Sequence, residues 1–157
     1  MSRIGRMIQG WEDEAVINAA FEILERRAAR YGSDLLSTPD SAGKLACLRI
    51  GALEHEVFCV FWLDSQNRLI AFEEMFRGTL TQTSVYPREV AKAALRHNAA
   101  AAIFAHNHPS GETEPSRADE HLTKLLKEAL ALFDVRVLDH LVVSGNRRTS
   151  MAERGYV

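Results

Sequence analysis

The spacing of apolar positions changes several times along this chain, and each change marks an element. Between residues 11 and 31 they recur at helical spacing: Ala15, Ile17, Ala20, Phe21, Leu24, Ala28 and Tyr31. Glu12, Asp13 and Glu14 open the stretch and Gly32 follows it, which is the charge polarity and stop signal of a helix. A polar loop runs from Ser33 to Asp40. Within it, Thr38 before Pro39 predicts an N-cap with proline at the first helical position, opening a second helix to about Leu53.

From Glu56 the period shifts. Val57 to Leu63 is an unbroken apolar run rich in strand formers, which predicts a strand covered on both faces. Asp64-Ser65-Gln66-Asn67 reads as a turn, and Arg68 to Arg77 as the returning strand of an antiparallel hairpin. Beyond it the pattern predicts a helix over Pro87 to His97 and a short apolar strand over Ala99 to Ala105. A strongly periodic helix follows over Ser116 to Phe133, then a strand over Val135 to Val143 that ends at Ser144-Gly145-Asn146. The tail, Arg147 to Val157, carries no clear signal. Strands alternate with helices, without repeats or linkers, so the expectation is one α/β domain over residues 1–157. Its parts are N-terminal helices (1–53), a core with a mixed β-sheet flanked by helices (54–146) and a C-terminal tail (147–157).

Composition narrows the function classes. The chain is 46% hydrophobic and 25% charged, as expected of a soluble globular protein. No apolar run reaches the ~20 residues needed to span a bilayer, and Met1 to Gly10 has no apolar core, so neither a membrane span nor a secretory signal is expected. The two cysteines, Cys47 and Cys59, sit in apolar stretches without paired spacing, which reads as reduced thiols and a cytoplasmic location. Net charge is −2. Phosphate neutralisation supplies most nucleic-acid affinity, so this balance leans against a nucleic-acid partner. The basic groups at Arg26, Arg27 and Arg30, and at Arg147 and Arg148, read as a solvated helix face and a loop.

Candidate chemistry gathers in His106-Asn107-His108-Pro109-Ser110-Gly111 and the following Ser116-Arg117-Ala118-Asp119. Histidines at i and i+2 at a strand end project to one side. Neutral imidazoles are good zinc ligands, and one further ligand makes an open catalytic site. Asp119 can supply it, because the loop from Pro109 to Pro115 returns the first helical turn to the histidines, where the helix N-terminus favours a carboxylate. Each feature has an ordinary explanation when taken singly. Ser116 and Asp119 form a helix-capping pair, and Pro109 and Gly111 are common turn residues. The joint pattern is far rarer than its parts.

This stretch resembles the JAMM motif of MPN-domain metalloproteases, and its wording is most similar to the RadC-like family. The resemblance extends over Phe58-Cys59-Val60-Phe61-Trp62-Leu63-Asp64, Arg77-Gly78-Thr79-Leu80, Tyr86-Pro87-Arg88-Glu89, Ala105 to Gly111 and Leu138-Asp139-His140. It implies one zinc per chain, held by His106, His108 and Asp119, with Ser116 helping to stabilise a tetrahedral intermediate. It also implies an upstream glutamate as general base, and the matching position is Glu56; Glu54, Glu73 and Glu74 compete on sequence grounds alone. The implied activity is zinc-dependent hydrolysis of a peptide, isopeptide or other amide bond. A second reading is a DNA-repair or recombination accessory protein in which the metal is structural or vestigial. The first fifty residues carry no glycine-rich helix–hairpin–helix of the longer relatives, so a short form is expected. Of the remaining residues, Asn107 should point away from the metal. His97 should end a helix and His121 lie at the surface. His140 should be a buried hydrogen-bonding residue, with a place directly behind the metal ligands as the alternative.

Overall fold

The computed structural model describes residues 13–31, 39–78 and 84–157. Its elements follow in the order α1 (Asp13–Tyr31), α2 (Pro39–Ile50), β1 (Val57–Leu63), β2 (Leu69–Arg77), α3 (Pro87–Arg96), β3 (Ala101–Asn107), α4 (Arg117–Ala131), β4 (Arg136–Ser144) and β5 (Arg147–Ser150). The strands form one mixed sheet in the order β2-β1-β3-β4-β5. Only the β3–β4 pairing is parallel, with α4 as its crossover. The expected α/β architecture with a mixed sheet is therefore present. Thr38, the loop before it and residues 79–83 lie outside the described residues.

β1 explains why the sheet has helices on both sides. All seven of its residues are buried, and successive side chains point to opposite faces. Val57, Cys59, Phe61 and Leu63 pack with Phe21 of α1 and with Ala42, Leu45, Ala46 and Ile50 of α2. Phe58, Val60 and Trp62 pack on the other face with Val90, Ala93 and Ala94 of α3 and Leu126 and Leu130 of α4. A fully buried Phe or Leu of this kind contributes about 1.5–3 kcal/mol relative to exposure.

Element ends depart from the sequence expectations for local reasons. α2 ends at Ile50, and Gly51 beyond it packs against the β4–β5 turn, where a Cβ would lie 2.1 Å from the Gly145 carbonyl oxygen. The Gly145 N–H also donates to the Gly51 carbonyl at 2.7 Å. α3 gives way to Asn98 at φ 49, and Ala99 still donates to Ala94, which moves the start of β3 to Ala101. β3 then runs on through His106 to Asn107, pairing with Phe58 on one side and with Val142 and Val143 on the other. The stretch after Gly145, without a clear signal in the sequence, contributes the edge strand β5 against β4.

Candidate metal centre

The C-terminal end of β3 and the N-terminal end of α4 meet at the candidate residues. His106 is the penultimate residue of β3, and its strand neighbours bury it to 3% exposure. His108 follows the strand, and its N–H donates to the Val143 carbonyl at 2.9 Å, which keeps the chain in sheet register past the strand's end. The Nε2 atoms of the two rings lie 3.0 Å apart. On the other side of His108, Nδ1 lies 3.1 Å from the Glu112 carbonyl. A carbonyl only accepts, so a proton sits on Nδ1, and Nε2 is the ring atom turned toward His106 and Asp119.

Asp119 reaches this pair from the first turn of α4. Its Oδ1 lies 3.3 Å from His106 Nε2 and its Oδ2 3.6 Å from His108 Nε2. Its position is fixed by a reciprocal cap: Asp119 N–H donates to Ser116 Oγ at 3.1 Å, while Ser116 N–H and Oγ–H both donate to Asp119 Oδ2 at 2.7 Å. The capping pair and the candidate ligand are thus the same residues. Glu56 completes the cluster, its carboxylate lying within 4.8 Å of the His106 and His108 ring nitrogens.

Glu56 is brought there by Asn107. The Asn107 side chain, buried on the opposite side of β3 from the histidines, accepts from Val57 N–H at 2.8 Å. It donates to the carbonyls of Leu53 at 3.2 Å and His55 at 2.9 Å. One amide thereby clamps the segment on both sides of Glu56. Its direction was legible from strand alternation; its clamp was not, because it depends on a segment fifty residues away.

The competing glutamates lie elsewhere. Glu73 accepts from Arg96, His97 and Trp62, and Glu74 pairs with Arg77 at 3.0 Å. Glu54 lines a separate cavity of about 430 Å³ with Pro109 and Ser110. His97 caps α3 and His121 is exposed, as expected. His140 is fully buried, its Nε2 2.7 Å from His106 Nδ1 and its Nδ1 2.6 Å from Thr123 Oγ1. It stands directly behind the cluster. Thr123, one helical turn after Asp119, is a further residue that the sequence reading passed over; its i+4 spacing from Asp119 was the available signal.

The electrostatics separate the two carboxylates. Burial pushes Glu56 above the ordinary carboxylate value, with His106 and His108 opposing and Asp119 adding to the rise. Burial also works against Asp119, but His106, His108 and the Ser116 hydroxyl outweigh it and hold that carboxyl far below its ordinary value. The same Asp119 contact raises His108. Burial lowers His140 well below an ordinary imidazole, and the nearby His106 adds to this.

This donor set fits a small divalent cation. Two imidazole nitrogens 3.0 Å apart, with Asp119 Oδ1 3.3 Å from one and Oδ2 3.6 Å from the other, converge closely enough for a cation held about 2.0–2.1 Å from each donor. Lone pairs directed at one another across 3.0 Å repel unless a proton or cation stands between them.

Known proteins resemble this chain over most of its length. Residues 36–156 match the family described as the RadC-like JAB domain. A UPF0758 protein of Dechloromonas aromatica is 54% identical over 149 residues, 93% of this chain and 66% of that protein. One from Leptothrix cholodnii is 56% identical over 144 residues, 92% of this chain and 64% of its own length. The chain thus spans a little under two thirds of these relatives. A UPF0758 protein of Vibrio cholerae is 51% identical over 149 residues, covering 95% of this chain and 93% of that one. With most of its length matched in this way, the chain belongs to the RadC-like JAB domain family.

Proposed function

We propose that this domain is a zinc-dependent hydrolase of amide bonds, peptide or isopeptide, with His106, His108 and Asp119 as the metal ligands. The observation that carries the reading is the convergence of two imidazole Nε2 atoms and one strongly acidic carboxylate, with a second carboxylate alongside. Bound zinc supplies Lewis acidity, bringing the pKa of a coordinated water to about 7 and polarising a carbonyl.

The two carboxylates take different roles because their surroundings differ. Asp119 touches both imidazoles and stays ionised, which suits a ligand. Glu56 is half-buried with its pKa raised, which suits a group that takes a proton from the attacking water and delivers it to the leaving amine. The Ser116 hydroxyl, now donating to Asp119, stands beside the ligand that would flank a developing oxyanion. Turning its proton outward lets it assist there while its oxygen still caps Asp119 N–H.

No helix among the described residues is long and apolar enough to cross a membrane. The test is metal analysis of freshly purified protein followed by an unbiased screen of peptides, isopeptides and small amides. The expected result is about one zinc per chain and a hydrolysed substrate class that Glu56→Gln no longer turns over. Protein purified without chelators that holds no zinc and acquires none on titration would overturn the reading. Zinc binding without amide hydrolysis, together with tight salt-sensitive DNA binding, would point to an accessory role.

A further inference from the structure

Behind His106 a line of buried groups connects the sheet to the helix that carries Asp119. His106 Nδ1 lies 2.7 Å from His140 Nε2, and His140 Nδ1 lies 2.6 Å from Thr123 Oγ1. Thr123 Oγ1 in turn donates to the Asp119 carbonyl oxygen at 2.6 Å. Thr123 and His140 have no solvent exposure, so neither can exchange these partners for water.

Counting protons sets the direction of the line. The Asp119 carbonyl only accepts, and the other neighbour of the hydroxyl, Met151 Sδ at 3.7 Å, is a weak acceptor. The single hydroxyl proton therefore points away from His140, and Oγ1 accepts from His140 Nδ1–H. With its proton on Nδ1, His140 offers a lone pair at Nε2, which accepts from His106 Nδ1–H. His106 is then left bare at Nε2, the atom that faces His108 and Asp119.

The fold holds His140 in this place by an irregularity. Val137 and His140 both face the α3–α4 side, although they are three residues apart in one strand. The register slip opposite Ala102 and Ile103 makes this possible, since Ala102 pairs with Val137 and Ile103 with Asp139. A bulge of this sort re-aims the side chains that follow it. The ring is then held edge-on by Phe58 at 5.6 Å and Phe104 at 5.7 Å, which hinders a flip.

We infer that Thr123 and His140 are positioning residues: they lock His106 in the Nδ1–H tautomer and so present its Nε2 as a ready ligand. Without the Thr123 hydroxyl, His140 Nδ1 has no acceptor, and its proton can move to Nε2. It then donates to His106 Nδ1, and the His106 proton shifts to Nε2, where it blocks the ligand position. Partners behind a ligand typically alter metal affinity by about 10–100-fold.

The inference rests on the metal reading above, but its main test needs no metal. Long-range proton–nitrogen spectra of the metal-free protein at about pH 8, where free imidazole is neutral, read each tautomer directly. The expected result is protonated Nδ1 and bare Nε2 on both His106 and His140. Thr123→Val should mix the tautomers of both rings and weaken zinc binding about 10–100-fold, and Thr123→Ser, which returns the hydroxyl, should restore both. A wild-type spectrum with the His106 proton on Nε2 would overturn the inference even if Thr123→Val failed to fold. So would a folded Thr123→Val with unchanged tautomers and zinc affinity. Failure of the wild type to bind zinc would instead overturn the proposed function, leaving the spectrum to judge the relay alone.

Discussion

Two histidine–carboxylate clusters lie on the same face of this sheet, at opposite ends, and they have opposite characters. At one end Glu73 accepts from Arg96 at 2.6 Å, His97 at 2.9 Å and Trp62 Nε1–H at 3.1 Å, and the Trp62 and His97 rings stack. Every group there meets its complement within the chain, and the guanidinium supplies the positive charge. At the other end the ring nitrogens of His106 and His108 and the carboxylate of Asp119 converge on one another. Among the described residues no lysine or arginine pairs with Asp119. The first cluster is closed by the protein; the second is a donor set that fits a cation. Residue types alone do not separate the two clusters, but the partners around each carboxylate do.

The largest effect that would sharpen this contrast is loss of the metal. His108→Ala and Asp119→Asn should each abolish stoichiometric zinc binding, measured by metal analysis and by competition with a chromogenic chelator. Asp119→Asn is the more telling variant, because its amide oxygen can still accept from Ser116 N–H and preserve the cap while being a poorer ligand. Retention of full zinc affinity in Asp119→Asn would leave Glu56 as the third ligand instead.

Next in size is the effect on turnover. Glu56→Gln should keep its zinc and lose about 10²–10⁴-fold in rate, the usual range for removing a general base. Glu73→Gln should keep both zinc and rate, since its carboxylate serves the closed cluster. The reverse outcome, with turnover lost in Glu73→Gln and kept in Glu56→Gln, would break the comparison.

What the sequence made legible follows the range of the interactions involved. The helices and the hairpin could be read because their periods are set by faces they bury, and β1 appears at its expected bounds. The meeting of His106, His108 and Asp119 could be read because their spacing around one turn of chain is local. The rest depends on register. His140 faces the cluster only through the slip opposite Ala102 and Ile103, which no alternation pattern announces. Thr123 lies on the inner face of α4 with Leu126 and Leu130, and its hydroxyl acquires a role only once His140 arrives. β5 has the sequence Arg147-Arg148-Thr149-Ser150 and is ordered by pairing with β4 after the Gly145 turn at φ 58. Arg148 also pairs with Asp40 at the start of α2, and Arg147 donates to the Gly111 carbonyl in the loop after His108. The basic pair read as a solvated loop is therefore a tie between the edge strand and the parts around it.

The smallest expected effect concerns the closed cluster and its response to acid. Trp62 is fully buried, so its Nε1–H relies on Glu73, whereas the Arg96 partner is 61% exposed and contributes little. Replacing a charged acceptor by a neutral one costs about 1 kcal/mol, the difference between charge-assisted and neutral hydrogen bonds. Glu73→Gln should therefore lower stability by about that amount at neutral pH, measured by urea unfolding of the metal-free protein. Burial raises the Glu73 pKa, but His97, Trp62 and Arg96 together outweigh it and bring it below the ordinary value of 4.5. A carboxyl depressed in the folded state contributes its full stabilisation above the unfolded value and loses it as pH falls through the folded one. The gap between wild type and Glu73→Gln should thus be complete near neutrality and close progressively below about pH 4.5. A gap that widened in acid would mean that Glu73 is not held ionised by its partners, and the contrast between a closed and an open cluster would fail at its closed end.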